Sequence, residues 1–99
     1  MQEDVEMQQI NMSATYAATQ DAVESRLGEE TVILHLESGV YFGLDAVGTR
    51  IWELLQIGAS PEMICETLRQ EFTDTGDALE SDILGFLTQL SENKLIVEK

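Results

Sequence analysis

The fold of this chain is decided by the stretch GVYFGLDAVGTRIWELL, residues 39–55. Its first half, Val40–Leu44, is short, β-branched and aromatic, and it follows the turn signal Ser38-Gly39, so it predicts a strand that closes a hairpin. Its second half begins at Asp45, a good N-cap residue, and it then carries apolar residues at helical spacing, namely Val47, Ile51, Leu54 and Leu55. The stretch therefore predicts a strand that is followed almost at once by a helix.

The strand at 40–44 is the last one predicted before three helices, which places it at the edge of a sheet. An edge strand leaves backbone N–H and C=O groups free to pair with another chain, so we expect this edge to hold a peptide. If Val40, Phe42 and Leu44 face the core, then Tyr41 points to the opposite side of the strand. An amphipathic ring there suits an interface, although a single exposed aromatic needs no special explanation.

Length and composition predict one small globular domain. The chain has 99 residues, of which 43% are hydrophobic, and one cysteine, Cys65. A single cysteine excludes an internal disulfide and a cysteine-rich metal site. We find no apolar run near the roughly 20 residues that span a bilayer and no secretory signal at the start, so we expect a cytoplasmic protein that does not use a membrane.

The charge balance narrows the class of partner. Five Lys and Arg face nineteen Asp and Glu, which gives a formal net charge of −14. Nucleic-acid affinity rests largely on cations that neutralise phosphates, so the charge argues against nucleic acid and equally against anionic membranes. It favours a neutral or basic protein partner, or alternatively it only keeps a small protein soluble.

The remaining sequence predicts the order of the elements. We interpret residues 1–20 as a flexible acidic N-terminal arm with order near Tyr16, and residues 21–99 as the folded domain. Strands are expected at 22–27, with Val23 and Leu27 facing inward, and at 31–36, where Val32, Leu34 and Leu36 alternate with Thr31, Ile33 and His35 and make the apolar, buried face.

Three helices are expected to cover one face of this sheet. The first begins at Asp45 and ends near Gly58, the second begins with Ser60-Pro61-Glu62, and the third begins at Asp77 with Glu80 three residues later. The apolar stripe of the third helix is Leu79, Ile83, Phe86, Leu87 and Leu90. Leu95-Ile96-Val97 closes the core or adds a short strand. The predicted class is α+β, with a three-stranded antiparallel sheet followed by three helices and a winged-helix character.

No constellation of catalytic or metal-binding residues emerges. His35 has no second ligand or base at a useful spacing, and we expect it to be partly exposed on its strand. Cys65 lies among apolar residues beside Glu66, which disfavours an activated thiolate. Asp74-Thr75-Gly76-Asp77 lacks the pattern of a calcium loop and is interpreted as a turn. Trp52 and Phe86 are expected to pack in the core, and no metal and no cofactor are predicted.

Residues 34–55, LHLESGVYFGLDAVGTRIWELL, resemble the signature of the PqqD-like family, the peptide-recognition elements of ribosomally synthesised and post-translationally modified peptide pathways. The resemblance covers roughly residues 22–96. This chain has Asp45 where the family often has Asn, and Asn93 or Lys94 where it often has Gly. The sequence SGVYFGL at residues 38–44 resembles the stand-alone proteins of lasso-peptide and similar clusters more than the protein of pyrroloquinoline quinone synthesis.

The resemblance implies a non-catalytic module that captures the leader of a precursor peptide by strand addition and presents it to a separate modifying enzyme, a protease, cyclase or radical enzyme. The leader would lie along Val40–Leu44, beside the third helix, and Asp82 would take a polar or basic leader group. The peptide-binding residues that the resemblance implies are Val40, Tyr41, Phe42, Leu44, Leu79, Asp82, Ile83 and Phe86. Two other functions stay open: a winged-helix transcriptional regulator, and a small enzyme that uses His35 or Cys65.

Overall fold

The computed structural model describes residues 10–72 and 78–99, and these form an α+β domain. The strands are β1 (Tyr16–Ala18), β2 (Ala22–Leu27), β3 (Glu30–His35), β4 (Val40–Leu44) and β5 (Ile96–Glu98), and the helices are α1 (Ala46–Gln56), α2 (Pro61–Glu71) and α3 (Leu79–Glu92). Strands β2, β3 and β4 form an antiparallel sheet in that order, while β1 pairs with β5 in a separate two-stranded ribbon. The predicted sheet and the three helices that follow it are confirmed.

Local capping chemistry sets the ends of the first two helices, as predicted. The Asp45 carboxylate accepts a hydrogen bond from the Gly48 N–H at 2.8 Å, which satisfies a free donor of the first turn of α1. Gly58 follows α1 with a φ of +94°, a conformation that glycine adopts without strain. The Ser60 hydroxyl caps α2, and Pro61 is its first residue. The predicted cap of α3, Asp77, and the predicted turn at residues 74–77 lie outside the described residues.

The prediction of the buried face of β3 is wrong. Thr31, Ile33 and His35 are 1%, 0% and 5% exposed, whereas Leu36, expected inside, is 56% exposed. Burial of the polar Thr31 is possible because its hydroxyl accepts a hydrogen bond from the Thr49 hydroxyl of α1 at 3.0 Å. The partner that satisfies Thr31 lies on another element, and the inward face therefore carries polar groups that a hydrophobicity pattern would place outside.

The prediction for β2 is wrong for the same reason. Val23 and Leu27 are 52% and 61% exposed, and the opposite face of the strand carries Ala22 with the charged residues Glu24 and Arg26. Trp52 Nε1 donates to Glu24 Oε1 at 2.6 Å, and Arg26 pairs with Glu53 at 2.6 Å. These contacts hold β2 against α1 with polar side chains, so the apolar residues of β2 are left on the outer face of the sheet.

The core lies between the sheet and the helices and draws on nearly every element. Its most deeply buried apolar side chains are Ile33, Leu55, Ile64, Leu68, Ile83, Leu87 and Leu95. Full burial of each such side chain contributes roughly 1.5–3 kcal/mol relative to exposure. Cys65 and Trp52 are both 2% exposed, as predicted for packing residues, whereas Phe86 is only partly buried at the rim of the core.

Structural contacts extend further toward the N-terminus than residue 21, where the sequence placed the start of the domain. Tyr16 is 4% exposed, and its hydroxyl accepts a hydrogen bond from the Asn11 N–H at 2.8 Å. Ala18 pairs with Ile96 in the ribbon. The terminal segment around Leu95 both closes the core and adds a short strand, so the two outcomes predicted for it occur together.

Arg50 joins α1 to α2 through an ion-pair network. Its guanidinium lies 2.7 Å from a Glu71 oxygen and 3.3 Å from a Glu53 oxygen. Hydrogen bonding to Arg50 lowers the pKa of Glu71, and hydrogen bonding to Arg26 and Arg50 lowers that of Glu53. The side chains are about one-third exposed, so each pair adds at most about 1 kcal/mol, and its main effect is to fix the position of α1.

Candidate peptide-binding site

Strand β4 has one free edge in the structure. It pairs with β3 in the register Thr31↔Leu44, Ile33↔Phe42 and His35↔Val40. Within residues 10–72 and 78–99, no strand pairs with the other side of β4. The predicted row of unpaired backbone groups is therefore present along this strand.

Two hydrogen bonds at the end of β3 show which way its backbone groups point. The His35 carbonyl accepts the Gly39 N–H at 2.8 Å, so the backbone N–H and C=O of His35 point toward β4. The Leu36 N–H donates to the Asp21 carbonyl at 2.7 Å, so the backbone groups of Leu36 point the other way, toward β2. Backbone groups of successive residues alternate in direction along a strand, so this parity extends through β3.

The same parity identifies the free groups of β4. When two residues face each other in an antiparallel pair of strands, their backbone N–H and C=O groups either both point toward the partner strand or both point away from it. Val40, Phe42 and Leu44 therefore point their N–H and C=O groups toward β3. Tyr41 and Gly43 point theirs to the open edge, and the position of a Cβ on Gly43 has no atom within 4 Å. An added strand would pair with these two residues.

A cavity of about 310 Å³ lies between β4 and the second half of α3, and we call it the strand cavity. Its lining residues are Tyr41, Phe42, Gly43, Leu44, Phe86, Gln89, Leu90 and Asn93. It receives the side chains that β4 turns toward the helices, and it opens beside the free edge. A peptide paired with Tyr41 and Gly43 would place alternate side chains toward it.

A second cavity, of about 420 Å³, lies between the first turns of α1 and α3, and we call it the helix cavity. Its lining residues are Asp45, Val47, Gly48, Ile51, Leu79, Asp82, Ile83 and Phe86. Phe86 lines both cavities, so they form two parts of one groove. The walls are mostly apolar, which suits burial of apolar side chains of a ligand.

The structure brings seven of the eight predicted site residues to this groove. Tyr41, Phe42 and Leu44 line the strand cavity, Leu79, Asp82 and Ile83 line the helix cavity, and Phe86 lines both. Val40 lines neither cavity and is 47% exposed at the hairpin end. The role of each residue in binding stays a prediction.

The sequence prediction missed other residues of the groove. In α3 and its C-cap these are Gln89, Leu90 and Asn93, and in β4, α1 and its N-cap they are Gly43, Asp45, Val47, Gly48 and Ile51. The three on α3 follow Phe86 at spacings of three, four and seven, so extending its helical face would have found them. Nothing local in the sequence shows that the start of α1 meets the start of α3.

The charged side chains that line the groove are both acidic. Asp45 and Asp82 lie at the helix cavity and are exposed to solvent. The Asp45 carboxylate already accepts the Gly48 N–H, whereas Asp82 lies in the first turn of α3 with its side chain exposed. The groove therefore favours a ligand that carries an apolar side chain with a polar or basic group close by.

The outer face of the sheet is apolar and adjoins the free edge. Val23, Leu34 and Tyr41 stand in one cross-strand row, and Leu36 lies at the end of β3 on the same side. Val23, Leu36 and Tyr41 are 52%, 56% and 68% exposed. A cluster of exposed apolar side chains on one face is typical of a surface that contacts another protein.

His35 and Cys65 occupy structural positions. His35 is buried, contrary to our expectation, and its Nδ1 accepts the Ser38 N–H at 3.3 Å in the β3–β4 turn. His35 also lines a cavity of about 460 Å³ beside the β1–β5 ribbon, which has no lining residue from β4. Burial raises the pKa of the Cys65 thiol, which lowers the fraction of reactive thiolate at neutral pH.

Among residues 10–72 and 78–99, no group of three or more His, Cys, Asp and Glu side chains is arranged to hold a metal ion. Among the same residues, no helix has the length and hydrophobicity needed to cross a membrane.

Comparison with known proteins identifies a family and two similar structures. Residues 30–96 match the profile of the family described as coenzyme PQQ synthesis protein D (PqqD). The fold is similar to that of TbiB1 in complex with the TbiA(beta) leader peptide, with 39% identity, a TM-score of 0.74, and coverage of 81% of this chain and 93% of that one. It is also similar to a lasso peptide synthetase B1 complexed with the leader peptide, with 25% identity, a TM-score of 0.75, and coverage of 85% and 99%. Curated protein sequences give no significant match.

Proposed function

This chain belongs to the PqqD family, and we propose that it is a leader-binding module that holds the leader of a ribosomally made precursor peptide as an added strand on β4. The observation that carries the proposal is the free edge of β4 beside an apolar groove. Two proteins of the same fold are described as complexes with leader peptides, and one of them is 39% identical to this chain. The lasso-peptide type of leader is the class that these relatives support.

The backbone of the leader supplies affinity that depends little on its sequence. Its N–H and C=O groups pair with those of Tyr41 and Gly43, which no strand of the described chain uses. Each such hydrogen bond contributes roughly 0.5–1.5 kcal/mol net, because water competes for the same groups. Main-chain pairing alone is therefore too weak, and the side chains of the leader must add the rest.

The two cavities supply the specificity. Side chains of the bound leader that point toward the helices enter the strand cavity beside Phe42 and Leu44 or reach the helix cavity beside Leu79 and Ile83. A basic or polar leader group next to the apolar one is attracted by Asp82. Val40 contributes through its position at the start of the edge and not through a cavity.

The outer face of the sheet is the surface that we assign to the modifying enzyme. Val23 and Tyr41 are exposed on it and Leu34 is partly exposed between them, and Tyr41 belongs to the strand that receives the leader. An enzyme that covers this face would contact the leader's outward side chains as well as the sheet. The tethered precursor then meets the enzyme at a high effective concentration.

The module itself performs no chemistry in this proposal. The Cys65 and His35 side chains are both buried, and His35 Nδ1 accepts a hydrogen bond in the β3–β4 turn. We place the protein in the cytoplasm, where precursor peptides are translated. A DNA-binding regulator is the less favoured reading, because the net charge of −14 repels phosphates and no comparison supports it.

A titration tests the proposal. We expect the fluorescently labelled TbiA(beta) leader peptide to bind with a Kd in the micromolar range or below, about −8 kcal/mol or better. A peptide of the same composition in scrambled order is the control and should bind at least about tenfold more weakly. Equal binding of the two peptides, or no saturation by about 100 μM, would contradict the proposal. A salt-sensitive shift of duplex DNA by the protein would favour the regulator instead.

A further inference from the structure

Gly48 of helix α1 lies against Phe86 of helix α3, and a side chain at this position would be tightly packed. A Cβ on Gly48 would lie 3.3 Å from Phe86 Cζ, 3.3 Å from Asp45 Oδ1 and 3.4 Å from Leu44 Cβ. The two contacts of 3.3 Å require Phe86 or Asp45 to shift by a few tenths of an ångström. Glycine inside a helix lowers stability relative to alanine, so the close approach of the Phe86 ring is a physical reason for its presence.

The position of the Phe86 ring defines the shape of the groove. The ring is partly buried and lines both the strand cavity, of about 310 Å³, and the helix cavity, of about 420 Å³. It therefore forms the boundary between two subsites. A ring displaced by a methyl group on Gly48 would shift this boundary, and the methyl group itself would occupy part of the helix cavity, which Gly48 lines.

We propose that Gly48 is a specificity-determining residue of the leader site, because it positions Phe86 and so keeps the helix cavity large enough for one large apolar side chain of the leader. The inference rests on the proposed function and extends it to a residue with no side chain of its own. Gly48 acts through Phe86 and through the space that it leaves empty. Stability alone is a poor test, since a change at this buried position alters packing in any case.

A double-mutant cycle between protein and peptide separates the two roles. The probes are the TbiA(beta) leader peptide and its variants with alanine at each large apolar position. In the wild-type protein, we expect at least one of these truncations to weaken binding about tenfold or more. In the Gly48→Ala protein, the same alanine truncation of the leader should weaken binding about threefold or less, because the helix cavity no longer accepts the full leader side chain.

The chain offers a matched control and a test of coupling between Gly48 and Phe86. Gly85→Ala makes the same substitution on α3 at a residue outside both cavities, where a Cβ meets no atom within 4 Å, so every truncation should cost what it costs in wild type. Adding Phe86→Leu to Gly48→Ala should lower the cost of the truncation no further than Phe86→Leu does alone, because both substitutions act through the same ring. If Gly48→Ala does not fold, Phe86→Leu alone should reduce the tenfold cost about threefold or more, since it removes the boundary.

The outcomes that overturn the inference are distinct from those that overturn the proposed function. If the wild-type protein does not bind the leader, the proposed function fails. If it binds, but no apolar truncation matters, or the costs in Gly48→Ala equal those in wild type, only the role of Gly48 fails. Circular dichroism in the near ultraviolet, which reports the packing of aromatic rings, shows whether each variant has kept its fold.

Discussion

Replacing Tyr41 with proline is expected to weaken leader binding at least about tenfold, a loss of 1.4 kcal/mol or more. Proline has no N–H, and its ring occupies the space beside the strand where an added chain would lie. The N–H of Tyr41 faces the open edge and pairs with no strand in the described residues. Edge strands tolerate proline at such positions, so the fold should be kept. Titration with the labelled leader measures the effect.

Two further variants separate the backbone effect from the side chain. Tyr41→Ala removes the ring but keeps the N–H, and it should weaken binding clearly less than Tyr41→Pro. Phe42→Pro removes an N–H that points toward β3, and it should therefore destabilise the sheet itself. If Tyr41→Pro is correctly folded and binds as tightly as Tyr41→Ala, the leader does not pair with this edge.

The second large effect concerns stability and the assignment of faces in β3. Ile33→Ala is expected to lower the free energy of unfolding by about 2–5 kcal/mol, because Ile33 is fully buried and its truncation leaves a cavity. Leu34→Ala, one residue along, should cost about 1 kcal/mol or less, since Leu34 lies on the outer face. Urea denaturation of the two variants gives both values.

The pair is informative because the two residues are neighbours with side chains of equal size. A one-residue shift in strand pairing would exchange their faces, and the ranking of the two costs would then reverse. A larger loss for Leu34→Ala than for Ile33→Ala would therefore show that β3 is paired in the other register and that the parity assigned to β4 is also wrong.

The sequence alone predicts those parts of the fold that local chemistry determines. Asp45 caps α1, Ser60 and Pro61 begin α2, and Gly58 ends α1, because each acts on backbone groups within a few residues. The order of strands and helices follows from periodicity and turn signals. The pairing of β1 with β5 could not be predicted, because it joins the two ends of the described chain and has no local signal.

The direction in which β3 faces was predicted wrongly for a physical reason. Alternation shows which residues share a face, but it does not show which face turns inward. The face with Thr31 and His35 is less apolar than the other, and it is buried because Thr49 and the β3–β4 turn satisfy its polar groups. The more apolar face is the outer one, where Val32 and Leu34 are partly exposed and Leu36 is exposed.

The groove was predicted on the strand side and only partly on the helix side. The resemblance to the PqqD-like family indicated β4 and the first turns of α3, where Asp82 and Ile83 lie. The contribution of α1 through Gly48 depends on how two helices that are distant in sequence approach each other. Neither composition nor periodicity contains that information.

Amide hydrogen exchange on the free and leader-bound protein tests strand addition most directly, because it reports the hydrogen bond of each residue separately. The account predicts that the amides of Tyr41 and Gly43 exchange freely in the free protein and become protected when the leader peptide is bound. The amide of Phe42, which points toward β3, should already be protected without the leader. Saturation with the leader that leaves Tyr41 and Gly43 unprotected would contradict the account.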